Sequence, residues 1–97
     1  MTDEIKQLLL KVKPVKILLL LREDKEWYIS ELARKSGVTY VYTDYVINKL
    51  EKAGLIKTDK KGRKVTVKLT EKGLHIASIF EDIDQRLGTP SENNPPL

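Results

Sequence analysis

The 97-residue sequence predicts one small, mainly α-helical domain with a single β-hairpin, an α+β fold. Three observations predict it. Apolar residues recur at helical spacing in three stretches, and a fourth is apolar nearly all round. One stretch instead alternates, Val65, Val67 and Leu69 against Thr66 and Lys68, in the period of two expected of a half-buried strand. A 40% hydrophobic content in so short a chain fills a single core, because surface-to-volume scaling leaves too little interior for two.

Each element has its own signal. Residues 3–12 carry Ile5, Leu8, Leu9 and Val12 on one helical face. Pro14 lacks an N–H and restricts Lys13 before it, so it is expected to interrupt that helix. Proline also suits the first turn of a new helix, expected over 14–23; Val15 to Arg22 is apolar nearly all round, as suits a helix buried on most of its faces. After the polar turn Glu23 to Glu26, Trp27-Tyr28-Ile29 has the aromatic and β-branched character of a very short strand. Trp27 is expected to pack that strand on the core rather than to stack on a base.

Ser30 reads as the N-cap of a short helix from Glu31 to Ser36, with Glu31 at the positive end of the helix dipole and Gly37 as terminator. Thr39 caps a longer helix, 39–53, whose inward stripe is Thr43, Val46, Ile47 and Leu50 and which Gly54 closes. Leu55 to Thr58 and Lys64 to Leu69 flank the polar turn Asp59 to Arg63, giving a hairpin over 55–69. Thr70 caps a last helix over 70–87, where Ile76, Phe80, Ile83 and Leu87 follow at spacings of four, three and four. The domain is thus expected to span 1–87, and 88–97, with three prolines, to form a disordered tail.

Composition excludes several kinds of chemistry. There is no cysteine, hence no disulfide, thiol or Cys-based zinc site. His75 is the single histidine and has no ligand partners in sequence, so no metal or other cofactor is expected. With no glycine-rich phosphate loop and no paired carboxylate set, nothing here points to an enzyme. The longest apolar run, Ile17 to Leu21, is far below the roughly 20 residues of a membrane helix, and the N-terminus is acidic rather than signal-like; a cytoplasmic protein is expected.

Charge placement says more than the net +4. Of 18 basic and 14 acidic residues, six and one fall between Lys57 and Lys68, so the rest of the chain carries 12 and 13. The excess positive charge lies in the hairpin.

Two helices joined by a tight turn, the second about twice as long, are the parts of a helix-turn-helix, here over 30–53, and the hairpin that follows supplies a wing. Four fragments carry a family resemblance: Ser30-Glu31-Leu32-Ala33, Gly37-Val38-Thr39, Asn48-Lys49-Leu50-Glu51-Lys52-Ala53-Gly54-Leu55-Ile56 and Leu69-Thr70-Glu71-Lys72-Gly73. Over residues 14–80 the sequence resembles winged helix-turn-helix transcriptional regulators of the MarR, ArsR and PadR kind. The resemblance implies a dimer on double-stranded DNA, helix 39–53 in the major groove and wing 57–64 on the backbone or minor groove, acting as a repressor that occludes its site.

Stepping 100° per residue from the inward stripe puts Val41, Tyr42, Tyr45, Asn48, Lys49 and Lys52 on the outward face, with Tyr40 near its N-terminal end. The tyrosines are expected to donate to phosphates or base edges, Val41 to touch a thymine methyl, Asn48 to pair with adenine, and the lysines to meet phosphate. Asp44 either accepts from a cytosine amino group or pairs with a cation, and the face has no arginine for a guanine. Lys60, Lys61, Arg63 and Lys64 are the expected phosphate contacts of the wing. Ile5, Leu8, Leu9, Ile76, Phe80, Ile83 and Leu87 on the terminal helices are the expected homodimer surface. A different class of reading keeps the fold but makes it a protein-protein interaction module within a transcription, replication or antitoxin assembly.

Overall fold

The computed structural model describes residues 2–23 and 25–88. The elements follow in the order α1 (Thr2–Leu9), α2 (Val12–Leu20), β1 (Trp27–Tyr28), α3 (Ile29–Ser36), α4 (Tyr40–Lys52), β2 (Ile56–Lys61), β3 (Lys64–Leu69) and α5 (Glu71–Gly88). Apart from Gly88, the segment expected to be a disordered tail lies outside the described residues.

The first two helices divide at Leu10-Lys11 rather than at Pro14. Lys11 is extended (φ −101°, ψ 148°), and Pro14 is the third residue of α2, where it is buried. A helix's first N–H groups have no intrahelical acceptor, so a proline there removes no hydrogen bond. The other end of α2 is shorter than expected: Arg22 and Glu23 donate to Leu19 and Leu20, three residues back, in a tightened last turn.

The start of α3 also corrects the sequence reading. Tyr28, not Ser30, is the N-cap; its backbone N–H donates to Glu31 Oε1 at 3.0 Å, and Ser30 lies inside the helix. The carboxylate that was expected to act on the dipole therefore caps as well. With Lys25 Nζ 3.1 Å away, that backbone bond holds the Glu31 carboxyl below its ordinary pKa. Gly37 ends α3 as expected, and Thr39 caps α4 by accepting from Tyr42 N–H at 3.0 Å.

The strands form one antiparallel sheet in the order β1-β3-β2. Trp27 pairs with Val67 and Tyr28 with Thr66, so the two-residue strand makes the hairpin's second strand the centre of the sheet. The hairpin is longer than the sequence reading allowed: β2 runs on through Asp59, Lys60 and Lys61, and only Gly62 and Arg63 form the turn. Gly62 takes φ +64° at the first turn position, the geometry that matches strand twist in a two-residue hairpin. The polar run Asp59 to Lys61 stays in the ladder because its backbone bonds to β3 whatever its side chains prefer.

Ile17, Leu18, Leu32, Val46, Leu50, Val67 and Ala77 meet at the centre of the core, with Trp27 beneath the sheet as expected. The inward stripe of α4, Thr43, Val46, Ile47 and Leu50, is wholly buried. Helix α5 lies against α2, tied by the Arg22–Glu81 ion pair. Its start is pressed onto the chain before β2: Gly73 is buried, and a Cβ there would lie 1.8 Å from the Leu55 carbonyl oxygen. Around that contact Thr70 N–H donates to Leu55 O (3.0 Å), Thr70 Oγ1 to Gly54 O (2.6 Å) and Lys72 Nζ to Ala53 O (3.2 Å).

Candidate nucleic-acid interface

Burying the Thr43 stripe forces the opposite side of α4 outward, and the residues there are those the helical spacing selects. Val41 is 77% exposed, Tyr40 and Tyr45 are about half exposed, and Asn48 and Lys52 are exposed. Tyr42 and Lys49 differ: they form a half-buried flank, Tyr42 packing on the core edge with its ring centroid 6.3 Å from that of Tyr45. Lys49 Nζ lies 5.5 Å from the Tyr45 ring centroid, so a cation and an aromatic face are presented together.

The other flank of α4 faces the wing and is acidic. Glu51 Oε2 accepts from Thr58 Oγ1 of β2 at 2.8 Å, joining helix to hairpin. Half-buried Asp44 is about two turns earlier on the same flank. Asn48 donates its amide N–H groups to the Asp44 carbonyl (2.9 Å) and to Asp44 Oδ2 (3.3 Å).

Register sorts the wing cations onto two faces, because cross-strand partners share a face and alternate residues oppose each other. The pairs Ile56/Leu69, Thr58/Val67 and Lys60/Val65 lie on the core side. Lys57/Lys68, Asp59/Thr66 and Lys61/Lys64 lie on the outer side, with Tyr28. Lys60 thus continues the row that meets α4 through Thr58, and Arg63 sits at the tip.

Two of the four expected wing cations are held within the outer face. Lys61 forms an ion pair with Glu26, whose carboxylate raises the lysine's pKa. Lys64 Nζ stands 4.8 Å from the Tyr28 ring centroid. Sequence reasoning missed Glu26 and Tyr28 as their partners. The missing signal was the two-residue turn at Gly62-Arg63, which fixes the register and from it every side chain's face.

The surface expected to dimerise divides as well. Leu8 is 6% exposed and belongs to the core, so it is not part of an outer surface; Ile5, Leu9, Ile76 and Phe80 are half-buried against that core. Ile83 and Leu87 are exposed, Leu87 at 73%. With Leu10, Val12 and Val15 they line an open apolar groove of about 790 Å³ between the α1–α2 corner and α5. Among the described residues no helix is long and apolar enough to cross a membrane, and no group of three or more His, Asp or Glu could hold a metal ion.

Comparison with known proteins agrees with this architecture. Residues 30–81, which span α3, α4, the wing and the first part of α5, match the family described as the DUF6293 C-terminal winged helix domain. A crystal structure of a protein from Archaeoglobus fulgidus superposes with a TM-score of 0.79 at 27% identity, covering 87% of this chain and 97% of that one. A MarR family transcriptional regulator from Silicibacter pomeroyi gives 0.76 at 23% identity, over 90% of this chain and 63% of that one. Streptococcus pneumoniae FabT, solved in complex with DNA, gives 0.69 at 20% identity, over 84% and 63%. The shared fold is the winged helix.

Proposed function

The chain belongs to the DUF6293 C-terminal winged helix domain family, and from that premise we propose that it is a transcriptional regulator binding double-stranded DNA in the cytoplasm. Helix α4 lies in the major groove, presenting Tyr40, Val41, Tyr45, Asn48 and Lys52, with Tyr42 and Lys49 at the margin. The wing tip, through Lys60 and Arg63, rests on the phosphate backbone or in the minor groove.

One observation carries the reading. The exposed face of α4 and the most cationic segment of the chain are neighbours, joined through Glu51 and Thr58, although the rest of the chain is close to electrically neutral. A solvated surface does not require that conjunction, whereas a duplex engages a groove-sized helix and a flanking cation together. The DNA complex of the structurally similar FabT supports the same choice.

The protein acts as a homodimer that occludes its site as a repressor, its copies meeting through the groove at Leu10, Val12, Ile83 and Leu87. Lys11 and Lys16 line the α2 side of that groove and Asp84 the α5 side, so a two-fold partner sets basic against acidic on both halves. Two linked half-sites offset a modest set of contacts in each monomer.

Duplex binding measured against salt tests the DNA reading. Phosphate contacts at Lys60 and Arg63 predict that Lys60→Ala with Arg63→Ala weakens binding and makes the salt slope shallower by about 2, roughly one per cation. Superimposed curves, or no binding at low salt, would refute the assignment.

A further inference from the structure

We propose that Asp44 and Asn48 together make α4 select cytosine in the major groove; this rests on the DNA-binding reading and adds to it the identity of a base. The geometry starts from the Asn48 amide. Both of its contacts, the Asp44 carbonyl and the Asp44 carboxylate, are acceptors only. The nitrogen must therefore face Asp44, and the Asn48 oxygen faces away.

This changes what the helix surface offers. An asparagine reads adenine by donating to N7 while accepting from the N6 amino group, and both contacts need a free amide. Here the donor half is engaged within the helix. What remains is the exposed Asn48 carbonyl oxygen beside the half-buried Asp44 carboxylate, a pair of acceptors at the wing-side margin of a helix face that has no arginine.

The major-groove code then discriminates. Guanine presents N7 and O6 and thymine presents O4, all acceptors that a carboxylate repels. Adenine presents an amino group flanked by the acceptor N7. Cytosine's own edge presents only its N4 amino group, the acceptor next to it in the groove being O6 of the paired guanine, so it is the one base whose edge is a donor alone. Asp44 also opposes phosphate, lowering affinity for every duplex that lacks the matching base, so part of the selectivity comes from repulsion.

Selection of duplexes from a randomised pool tests this with the full chain and with Asp44→Ala and Asp44→Asn. Both positions face solvent at least in part, and thermal unfolding monitored by circular dichroism verifies that each variant is folded. The wild type is expected to enrich cytosine at one fixed position per half-site, by about 5- to 150-fold over the other bases. Asp44→Ala loses that preference and binds unrelated duplexes more tightly. Asp44→Asn supplies a donor and moves the preference toward guanine or thymine. Identical enrichment in all three proteins would overturn the proposal and show that the Asp44–Asn48 bond only stabilises the helix surface; so would guanine at that position or no preference in the wild type. Absence of duplex binding at low salt would instead remove the DNA reading itself, and this inference with it.

Discussion

Replacing Gly73 by alanine tests the packing that seats α5 on the winged-helix core. In an exposed helix this change stabilises by up to about 1 kcal/mol, because glycine loses more backbone freedom on folding. At Gly73 the new methyl group would sit 1.8 Å from Leu55 O, 2.8 Å from Leu55 C and 3.2 Å from Leu55 Cα. An ordinary carbon–oxygen contact needs about 3.3 Å, so helix and loop must separate by roughly 1.5 Å. That separation breaks the two Thr70 bonds to Leu55 O and Gly54 O, each contributing about 1 kcal/mol net, and adds about 1–3 kcal/mol of overpacking strain. After the propensity gain is set against these losses, the variant should be less stable by about 3 kcal/mol. Urea unfolding followed through the fluorescence of Trp27, the single and fully buried tryptophan, reads this directly as a lower midpoint at unchanged slope. In a domain of this size the melting temperature should fall by roughly 12–24 °C. A variant as stable as the wild type, or more so, would show that α5 is not held at this distance and that the argument is wrong.

Ser36 is fully buried and its hydroxyl has no hydrogen-bond partner among the described residues, so Ser36→Ala should raise stability by about 1 kcal/mol in the same assay. The Glu31 carboxyl is held below its ordinary pKa by Tyr28 N–H and Lys25, so the folded state takes up its proton less readily than the unfolded chain. Its stabilisation is complete above the unfolded carboxylate pKa and is lost as pH falls through the folded value; Glu31→Gln should therefore flatten the stability profile on the acid side, and parallel profiles would contradict the cap. Glu26→Gln releases Lys61 from its ion pair and removes a negative charge from the wing root, so duplex affinity should rise with a salt slope steeper by up to about 1. Leu87→Glu should leave the fold of the single chain intact by circular dichroism, the side chain being exposed there, but shift sedimentation toward monomer at micromolar concentration.

The sequence disclosed elements through period and caps, and lost them where tertiary pairing overrode local preference. Thr43, Val46, Ile47 and Leu50 were legible because one helix face must bury them, and Thr39 because a threonine before such a stripe has one obvious use. Pro14 misled because its effect depends on its position within a helix, which the pattern Val12-Lys13-Pro14-Val15 does not fix. Ser30 misled because a glutamate one residue later could reach back and cap in its place. The outward residues of α4 followed from the stripe, but the Tyr42 flank depended on a neighbour the helix wheel cannot see. The wing's charge was plain and its faces were not, since a one-residue difference in register would exchange Lys60 for Lys61.

The short strand β1 divides the hairpin mechanically. Strand β3 is bonded on both sides only at Thr66 and Val67; past Thr66 the ladder from Lys60 to Val65 has two strands and no third. Its root is anchored like the fixed end of a cantilever, and beyond it only side-chain contacts, Lys61 with Glu26 and Lys64 with Tyr28, brace a ribbon whose backbone is the easiest part of the sheet to bend. On a duplex, such a tip would follow a groove that widens or narrows from one sequence to the next at little elastic cost. In the DNA-bound arrangement proposed above, variation in DNA shape that a stiff reader would convert into selectivity would be absorbed by the wing, which would leave discrimination between sites to the helix beside it.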